Sequence, residues 1–177
     1  MSMQAVAEAL ARLERVLRRR PETGLSADVT ATARWNGPDS PLSVACRHPT
    51  GVQVCTDMPA ELAGSGDQVT PGWLHRAGLA SCATTSIVML AAIEGVALTV
   101  LEVDAESRSD AGGLVGSLAR DGRPVSPAPV DQRLVVRVNA AGSSPEQLRS
   151  LVQRALQRSP IPVAMMAGGL DVQVEIS

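Results

Sequence analysis

Cys82 is the residue whose type and position most strongly suggest chemistry. It lies near the middle of residues 71–95, PGWLHRAGLASCATTSIVMLAAIEG, where nearly every other side chain is apolar or small. A cysteine thiolate is a nucleophile, and a peroxide oxidises it to a sulfenic acid that a second thiol must then resolve. A buried cysteine can equally act as a small apolar residue, and Cys82 taken by itself is compatible with that role.

Cys46, His48 and Cys55 are also of types that bind metals. Their pattern, C-x-H followed by a lone cysteine, lacks the spaced pairs of a zinc site, so we predict no metal. With a hairpin that pairs His48 with Gly51, Cys46 lies opposite Gln53 and Cys55 follows on the same face.

The sequence has no glycine-rich phosphate loop and only two histidines, which argues against a nucleotide enzyme and a Ser-His-Asp triad. We therefore predict no cofactor.

The composition excludes further classes of partner. A net charge of −2 with two tryptophans as the only aromatic residues argues against binding nucleic acid, which calls for a basic patch with stacking aromatics. The apolar run in residues 77–93 is short for a membrane span and rich in Ser and Thr, so we predict no membrane insertion. The N-terminal arginines follow the apolar positions, the reverse of a secretory signal. With three cysteines, an odd count, we expect free thiols and a cytoplasmic protein.

The elements that must position Cys82 follow from the apolar pattern. Residues 71–95 predict one long helix, capped by Thr70 and opened by Pro71. Because it is apolar all round, the helix is expected to be buried. At about 37 Å it would reach beyond its own subunit, so we expect a partner chain to cover part of it.

The flanking segments predict an α+β fold in which an antiparallel sheet packs on this central helix. Residues 1–24 form a separate N-terminal amphipathic helix that docks on the body or a partner chain, with a membrane surface as the alternative, and residues 25–177 form the main domain. Ser144 and Gln147 predict a capping box at the start of a later helix. The predicted strands are residues 27–35, 42–47 and 51–57, which form a meander, and residues 98–109, 130–141 and 170–176; the later helix is residues 145–158. The outward residues of strand 98–109 are largely acidic and those of strand 130–141 largely basic, so the two strands are expected to pair their charges if they are antiparallel neighbours.

Three motifs in order resemble the OsmC/Ohr family of thiol-dependent peroxidases. They are TPGWLHRAGLASC leading into the long helix, EGVALTVLEVDAE with AGGLVG after it, and RSPIPVAMM before the last strand. The resemblance covers about residues 27–176 and implies an OsmC-like fold. It also implies an intertwined homodimer, with the long helices at its centre and the reactive sites at the subunit interface. Cys82 falls on the family's peroxide-attacking cysteine.

The sequence departs from the peroxidase pattern at two positions. Gly72 replaces the Glu that orients the thiolate-binding arginine, and Ser159 replaces the resolving cysteine. Arg34, Arg47 or Arg76 could supply the cation instead, but only if the fold brings one of them near Cys82.

The resemblance therefore implies a peroxide-reducing or redox-stress protein that uses Cys82 on an organic hydroperoxide, with an external thiol as reductant. The alternative is a non-catalytic dimer that binds a small apolar ligand in the interface pocket beside Cys82.

Overall fold

The computed structural model describes residues 2–25, 27 and 29–176. The chain forms two compact units, one made of Arg12–His75 and the other of Met1–Ala11 together with Arg76–Ser177. The helices are α1 (Met3–Arg19), α2 (Pro71–Glu94), α3 (Ala111–Leu114), α4 (Pro145–Leu156) and α5 (Pro160–Met166). The strands are β1 (Thr32–Trp35), β2 (Val44–Arg47), β3 (Gln53–Thr56), β4 (Leu98–Arg108), β5 (Val130–Ala140) and β6 (Asp171–Ile176).

The predicted α+β class is confirmed, with one correction to the sheet. The strands form two three-stranded sheets, β1-β2-β3 and β4-β5-β6. The pairs β1–β2, β2–β3 and β4–β5 are antiparallel, but β6 runs parallel to β5. The second sheet is therefore mixed rather than wholly antiparallel. The reason lies in the connection, because α4 and α5 carry the chain back across the sheet between the two strands, and such a crossover joins parallel strands.

Complementary charges line the outer face of β4 and β5, as their alternation predicted. Arg137 forms ion pairs with Glu102 at 3.2 Å, with Asp104 at 2.6 Å and with Glu175 of β6 at 3.0 Å. The hydrogen bond to Asp104 is the main cause of a raised pKa of Arg137. Because these ion pairs are half-exposed, each adds little to the free energy of unfolding. Their main effect is to favour this pairing of strands over others.

The core of the larger unit lies between the inner face of its sheet and helices α2 and α4. Alternate residues of β5 point inward, and Ser144 begins α4 with the predicted capping box. An ion pair between Arg154 of α4 and Glu94 ties α4 to the end of α2. The buried apolar side chains include Leu79, Ile87, Leu90, Leu134, Val136, Val138, Leu148, Leu151, Val152 and Leu156.

Helix α2 is only partly buried within the chain. Its buried residues are Leu79, Ala83 and Ile87, spaced four apart, and Leu90, Ala91 and Ala92 near its end. Between and after the last three, the apolar side chains of Met89 and Ile93 are 37% and 53% exposed. Burial on all sides is therefore not achieved by this chain alone. By length and composition α2 would also span a membrane, a property that core helices of soluble proteins share.

The smaller unit contains the predicted three-stranded meander, but the register of its second hairpin differs from the prediction. His48 pairs with Val52 rather than Gly51, because Gly51 takes a positive φ of 91° in a three-residue loop. Cys46 consequently lies opposite Val54 and Cys55 opposite Ala45. A shift of one residue exchanges the faces of a strand, so the two thiols point to opposite sides of the sheet.

The first predicted strand, residues 27–35, is shorter in the structure. It extends over Thr32–Trp35 only, and Asp28, within the predicted range, lies outside the described residues.

The loop after β3 is organised around a buried carboxylate. Asp57 is 5% exposed, and its side chain accepts hydrogen bonds from the backbone N–H groups of Met58 at 2.7 Å and Ser65 at 3.1 Å. The backbone donors of Ser65 and then Met58 hold the pKa of Asp57 below its usual value. The backbone at Gly64 passes very close to that of Met58. A Cβ built at Gly64 would lie 1.8 Å from the carbonyl oxygen of Met58, so a side chain does not fit there.

Candidate functional site

Helix α2 holds Cys82 at a fixed point about three turns from its start. The helix begins as predicted, since Thr70 Oγ1 accepts a hydrogen bond from the N–H of Trp73 at 3.1 Å and Pro71 occupies the first turn. Cys82 follows Leu79 and precedes Ala83, both of which are buried. Its own side chain is half-buried, so the thiol lies at the edge of the core rather than within it.

The joint between α4 and α5 brings Ser159 to Cys82. Helix α4 ends at Leu156 and α5 begins at Pro160. A residue before proline is restricted to extended backbone, and Ser159 has φ −97° and ψ 116°. Ser159 occupies the N-cap position of α5, yet its hydroxyl makes no capping bond and is fully buried.

The Ser159 hydroxyl instead binds Cys82 at two points. Ser159 Oγ donates to the carbonyl oxygen of Cys82 at 3.1 Å and lies 3.2 Å from Cys82 Sγ. A hydroxyl has one hydrogen to donate and two lone pairs. With that hydrogen on the carbonyl, the thiol S–H donates to Ser159 Oγ. When Cys82 is a thiolate, the same hydroxyl can turn to donate to the sulfur.

An apolar side chain lies on the face of α2 next to the thiol. A Cβ built at Gly78, one turn before Cys82, would be 3.8 Å from Cδ1 of Ile161. This is an ordinary van der Waals distance, so α5 lies near α2 at position 78 and leaves room there for a methyl group. The neighbour of position 78 is therefore the apolar side chain of Ile161.

Two of the three predicted arginines bind other side chains in the structure. Arg76 Nη1 donates to Ser107 Oγ at 3.0 Å, and Arg47 Nε donates to Gln53 Oε1 across the β2–β3 hairpin at 2.9 Å. Arg34 is exposed in β1, and Gly72 is exposed in the first turn of α2. Among the described residues, the polar side chain in hydrogen-bonding range of Cys82 Sγ is therefore Ser159.

The family resemblance gave position 159 as that of the cysteine that resolves Cys82, which implies proximity, but the residues themselves did not predict a hydrogen bond between Ser159 and Cys82. They are 77 residues apart, so no local periodicity joins them. The available signal was the Ser-Pro pair, which predicts an extended residue just before a helix. Chemically, the pair can stabilise a thiol, a thiolate or a sulfenic acid by hydrogen bonding, but it has a single sulfur and forms no internal disulfide.

Comparison with solved structures gives the same fold at low sequence identity. An OsmC-like protein from Mycoplasma pneumoniae has a TM-score of 0.67 and 16% identity, covering 86% of this chain and 98% of that one. An organic hydroperoxide resistance protein from Elizabethkingia anophelis has a TM-score of 0.61 and 17% identity, covering 88% and 99%. The organic hydroperoxide resistance protein OhrB of Bacillus subtilis has a TM-score of 0.54 and 21% identity, covering 85% and 98%.

A search of curated proteins found no match to this chain. The family model for OsmC-like proteins matches residues 64–175. The matched segment is well over half of the 177 residues and includes both Cys82 and Ser159. The chain therefore belongs to the OsmC-like protein family.

Proposed function

We propose that this protein is a thiol-dependent peroxide-reducing enzyme in which Cys82 reacts with an organic hydroperoxide and an external thiol regenerates it. The observation that carries the proposal is the half-buried Cys82 sulfur with the buried Ser159 hydroxyl 3.2 Å away. A hydroxyl at this distance can donate a hydrogen bond to the sulfur or to the oxygen of a Cys82 sulfenic acid. Membership of the OsmC-like family supports this role, as does the similarity of fold to two organic hydroperoxide resistance proteins.

The proposed reaction has two stages. The Cys82 thiolate attacks one peroxide oxygen, the O–O bond breaks, and an S–O bond forms while the alcohol leaves with a proton. Cys82 is thereby oxidised to a sulfenic acid and the peroxide is reduced. An external thiol then displaces water to give a mixed disulfide with Cys82. A second external thiol attacks that disulfide, releasing the oxidised reductant and free Cys82.

Consumption of cumene hydroperoxide in the presence of excess dithiol tests the proposal. Wild-type protein, Cys46→Ser and Cys55→Ser are expected to consume the peroxide, whereas Cys82→Ser is inactive. Without reductant, dimedone should label Cys82 after exposure to peroxide, as read by peptide mass spectrometry. Unchanged peroxide together with no adduct on Cys82 would refute the enzyme.

A second function is favoured by the apolar neighbour of the site. Ile161 beside Gly78 is suited to an apolar ligand, and the absence of a second sulfur at position 159 suits a protein that binds rather than reacts. In this alternative, an OsmC-like dimer holds a small apolar ligand beside Cys82 without chemistry. Native mass spectrometry that finds a retained apolar molecule on a protein inert to peroxide would favour it.

We also propose that the protein is a cytoplasmic homodimer with the site at the interface. Helix α2 leaves Met89 and Ile93 exposed, and α5 leaves Ile161 and Val163 38% and 46% exposed. A second copy of the chain is a suitable cover for these exposed apolar groups. All three cysteines are free, which agrees with a reducing compartment.

A further inference from the structure

Helix α1 is amphipathic, yet none of its residues is buried. Its apolar positions recur at spacings of three and four along one side of the helix: Met3, Val6, Leu10, Leu13 and Leu17. Leu13 is 52% exposed, and Val16, one turn further along, is 48% exposed. Apolar side chains left open side by side in this way mark a surface that binds a partner.

A row of three arginines, Arg12, Arg15 and Arg19, lies directly beside these exposed apolar side chains. Arg12 is four residues before Val16 and Arg19 is three residues after it, and side chains at these spacings are neighbours on a helix surface. The three arginines and Val16 together line an open pocket of about 240 Å³. This arginine row therefore presents guanidinium groups around an apolar side chain.

The arginine row forms no ion pair with a described residue. Glu14, the nearest acid, is bound by Arg18 at 2.7 Å, and Arg15 has the smallest effect on its pKa. Glu8 accepts a hydrogen bond from a glutamine one turn earlier. Residues 12–20 hold five of the 16 arginines and one glutamate, although the whole chain has a net charge of −2. The positive charge is therefore concentrated at the end of α1.

The turn after α1 adds another exposed apolar side chain. Residues Pro21–Gly24 fold back on the helix, since a Cβ at Gly24 would lie 3.3 Å from Leu17 Cδ2. Leu25 follows this turn and is 91% exposed. Both α1 and the turn lie outside residues 64–175, which the family model matches. The fold shared with the family does not account for this surface.

We propose that α1 binds the surface of an anionic lipid membrane, with the arginine row on the lipid phosphates and Leu13 and Val16 at the acyl-chain boundary. A helix that carries basic and exposed apolar side chains together suits this interface, because the lipid headgroups neutralise the charges while the acyl chains cover the apolar groups. A soluble polyanion would neutralise the arginines but leave the apolar side chains in water. The contact is at the membrane surface and requires no spanning helix. It is independent of the reaction at Cys82.

Flotation of the full-length protein with lipid vesicles tests this proposal. Vesicles of phosphatidylglycerol and phosphatidylcholine in equal parts should bind the protein, and vesicles of phosphatidylcholine alone should bind it at least about tenfold more weakly. Binding to the anionic vesicles should weaken as salt is raised, because salt screens the attraction between arginine and phosphate. Absence of binding to the anionic vesicles, or equal binding to both kinds, would overturn the proposal.

A triple substitution tests the charges. Arg12→Gln, Arg15→Gln and Arg19→Gln together should weaken binding to the anionic vesicles at least about tenfold. The matched control removes the same charge from three exposed positions outside α1: Arg120→Gln, Arg149→Gln and Arg158→Gln. This control should leave binding unchanged. If both triple variants lose binding equally, net charge alone is responsible and the site on α1 is excluded.

A double substitution tests the apolar contact. Leu13→Gln with Val16→Gln keeps every charge and uses a residue that favours helices, so the far-UV circular dichroism spectrum should not change. Binding to the anionic vesicles should fall at least about tenfold, because two apolar side chains no longer leave water. Poly-glutamate serves as a soluble acidic probe. If it binds the wild-type protein as tightly as the vesicles do, and the double variant binds both undiminished, the surface recognises an acidic protein and the lipid proposal is wrong.

Discussion

Ser159 is hydrogen-bonded to Cys82 through both its sulfur, at 3.2 Å, and its backbone carbonyl, at 3.1 Å. The carbonyl bond fixes the hydroxyl against the helix, and the contact with the sulfur makes it the immediate polar environment of the thiol. A hydroxyl in this place can donate a hydrogen bond to the sulfur or accept one from it. Unlike a thiol, it cannot form a disulfide with it. The chemistry open to Cys82 therefore depends on what position 159 carries.

Ser159→Cys is predicted to give the site an internal disulfide. A thiol in place of the hydroxyl would lie close to Cys82 Sγ, so the sulfenic acid formed by peroxide should condense with it. We expect peroxide to cause a loss of two hydrogens in mass, with a peptide linked through residues 82 and 159. Ser150→Cys, on the exposed side of α4, is the matched control and should form no such link. If both variants behave alike, the two side chains are not neighbours in solution.

Ser159→Ala is predicted to lower the free energy of unfolding by about 1 kcal/mol, because the buried bonds to Cys82 are lost. Urea unfolding at neutral pH measures the effect. Ser150→Ala should change it by less than about 0.5 kcal/mol, as expected for an exposed position. An equal effect of the two substitutions would mean that the Ser159 hydroxyl contributes nothing specific.

Met89→Glu is predicted to convert the proposed dimer into a monomer. Met89 is 37% exposed on the apolar face of α2, and a carboxylate there would be buried without a partner in a two-chain interface. Light scattering coupled to gel filtration should report half the wild-type mass, with an unchanged far-UV circular dichroism spectrum. Gln153→Glu, on the exposed face of α4, should keep the wild-type mass. A monomeric wild-type protein would contradict the assembly.

Asp57 is predicted to make stability depend on pH in the acid range. The backbone donors of Ser65 and Met58 hold its pKa below the usual value. A carboxyl with a lowered folded pKa contributes stability that is fully present above its unfolded pKa, about 3.9, and is lost as pH falls through the folded value. The wild-type advantage over Asp57→Asn in urea unfolding should therefore be constant near neutral pH and shrink below about pH 4.

The control for this prediction is the exposed Asp67, in the same segment of chain. Asp67→Asn should show little difference from wild type at any pH in the series. An advantage of wild type over Asp57→Asn that grows on acidification would reverse the sign and refute the assignment.

Local features of this fold were predicted from the sequence with good accuracy. Thr70 begins α2, the Ser144 and Gln147 box begins α4, and the charges of β4 and β5 pair across the ladder. Each of these depends on residues within a few positions or on one strand alternation, so neighbouring side chains suffice to determine it. The family also emerged from the sequence, because its motifs are short contiguous segments.

The hairpin register and the direction of β6 were wrong for a common reason. In the hairpin, a positive φ at Gly51 adds one residue to the loop and exchanges the faces of Cys46 and Cys55. For β6, the alternation of the strand is the same whether its neighbour is parallel or antiparallel. Both depend on the path of the chain, which a pattern of apolar residues does not contain.

Sequence alone determined that this protein is α+β, that a thiol lies within a long apolar helix, and that position 159 has no sulfur. Only the tertiary structure decided that the Ser159 hydroxyl lies against that thiol and that β6 runs parallel to β5. The physical reason is that both features depend on contacts between distant segments. Such contacts form when the whole core packs and buries apolar surface. No local pattern of residues determines which distant segments meet.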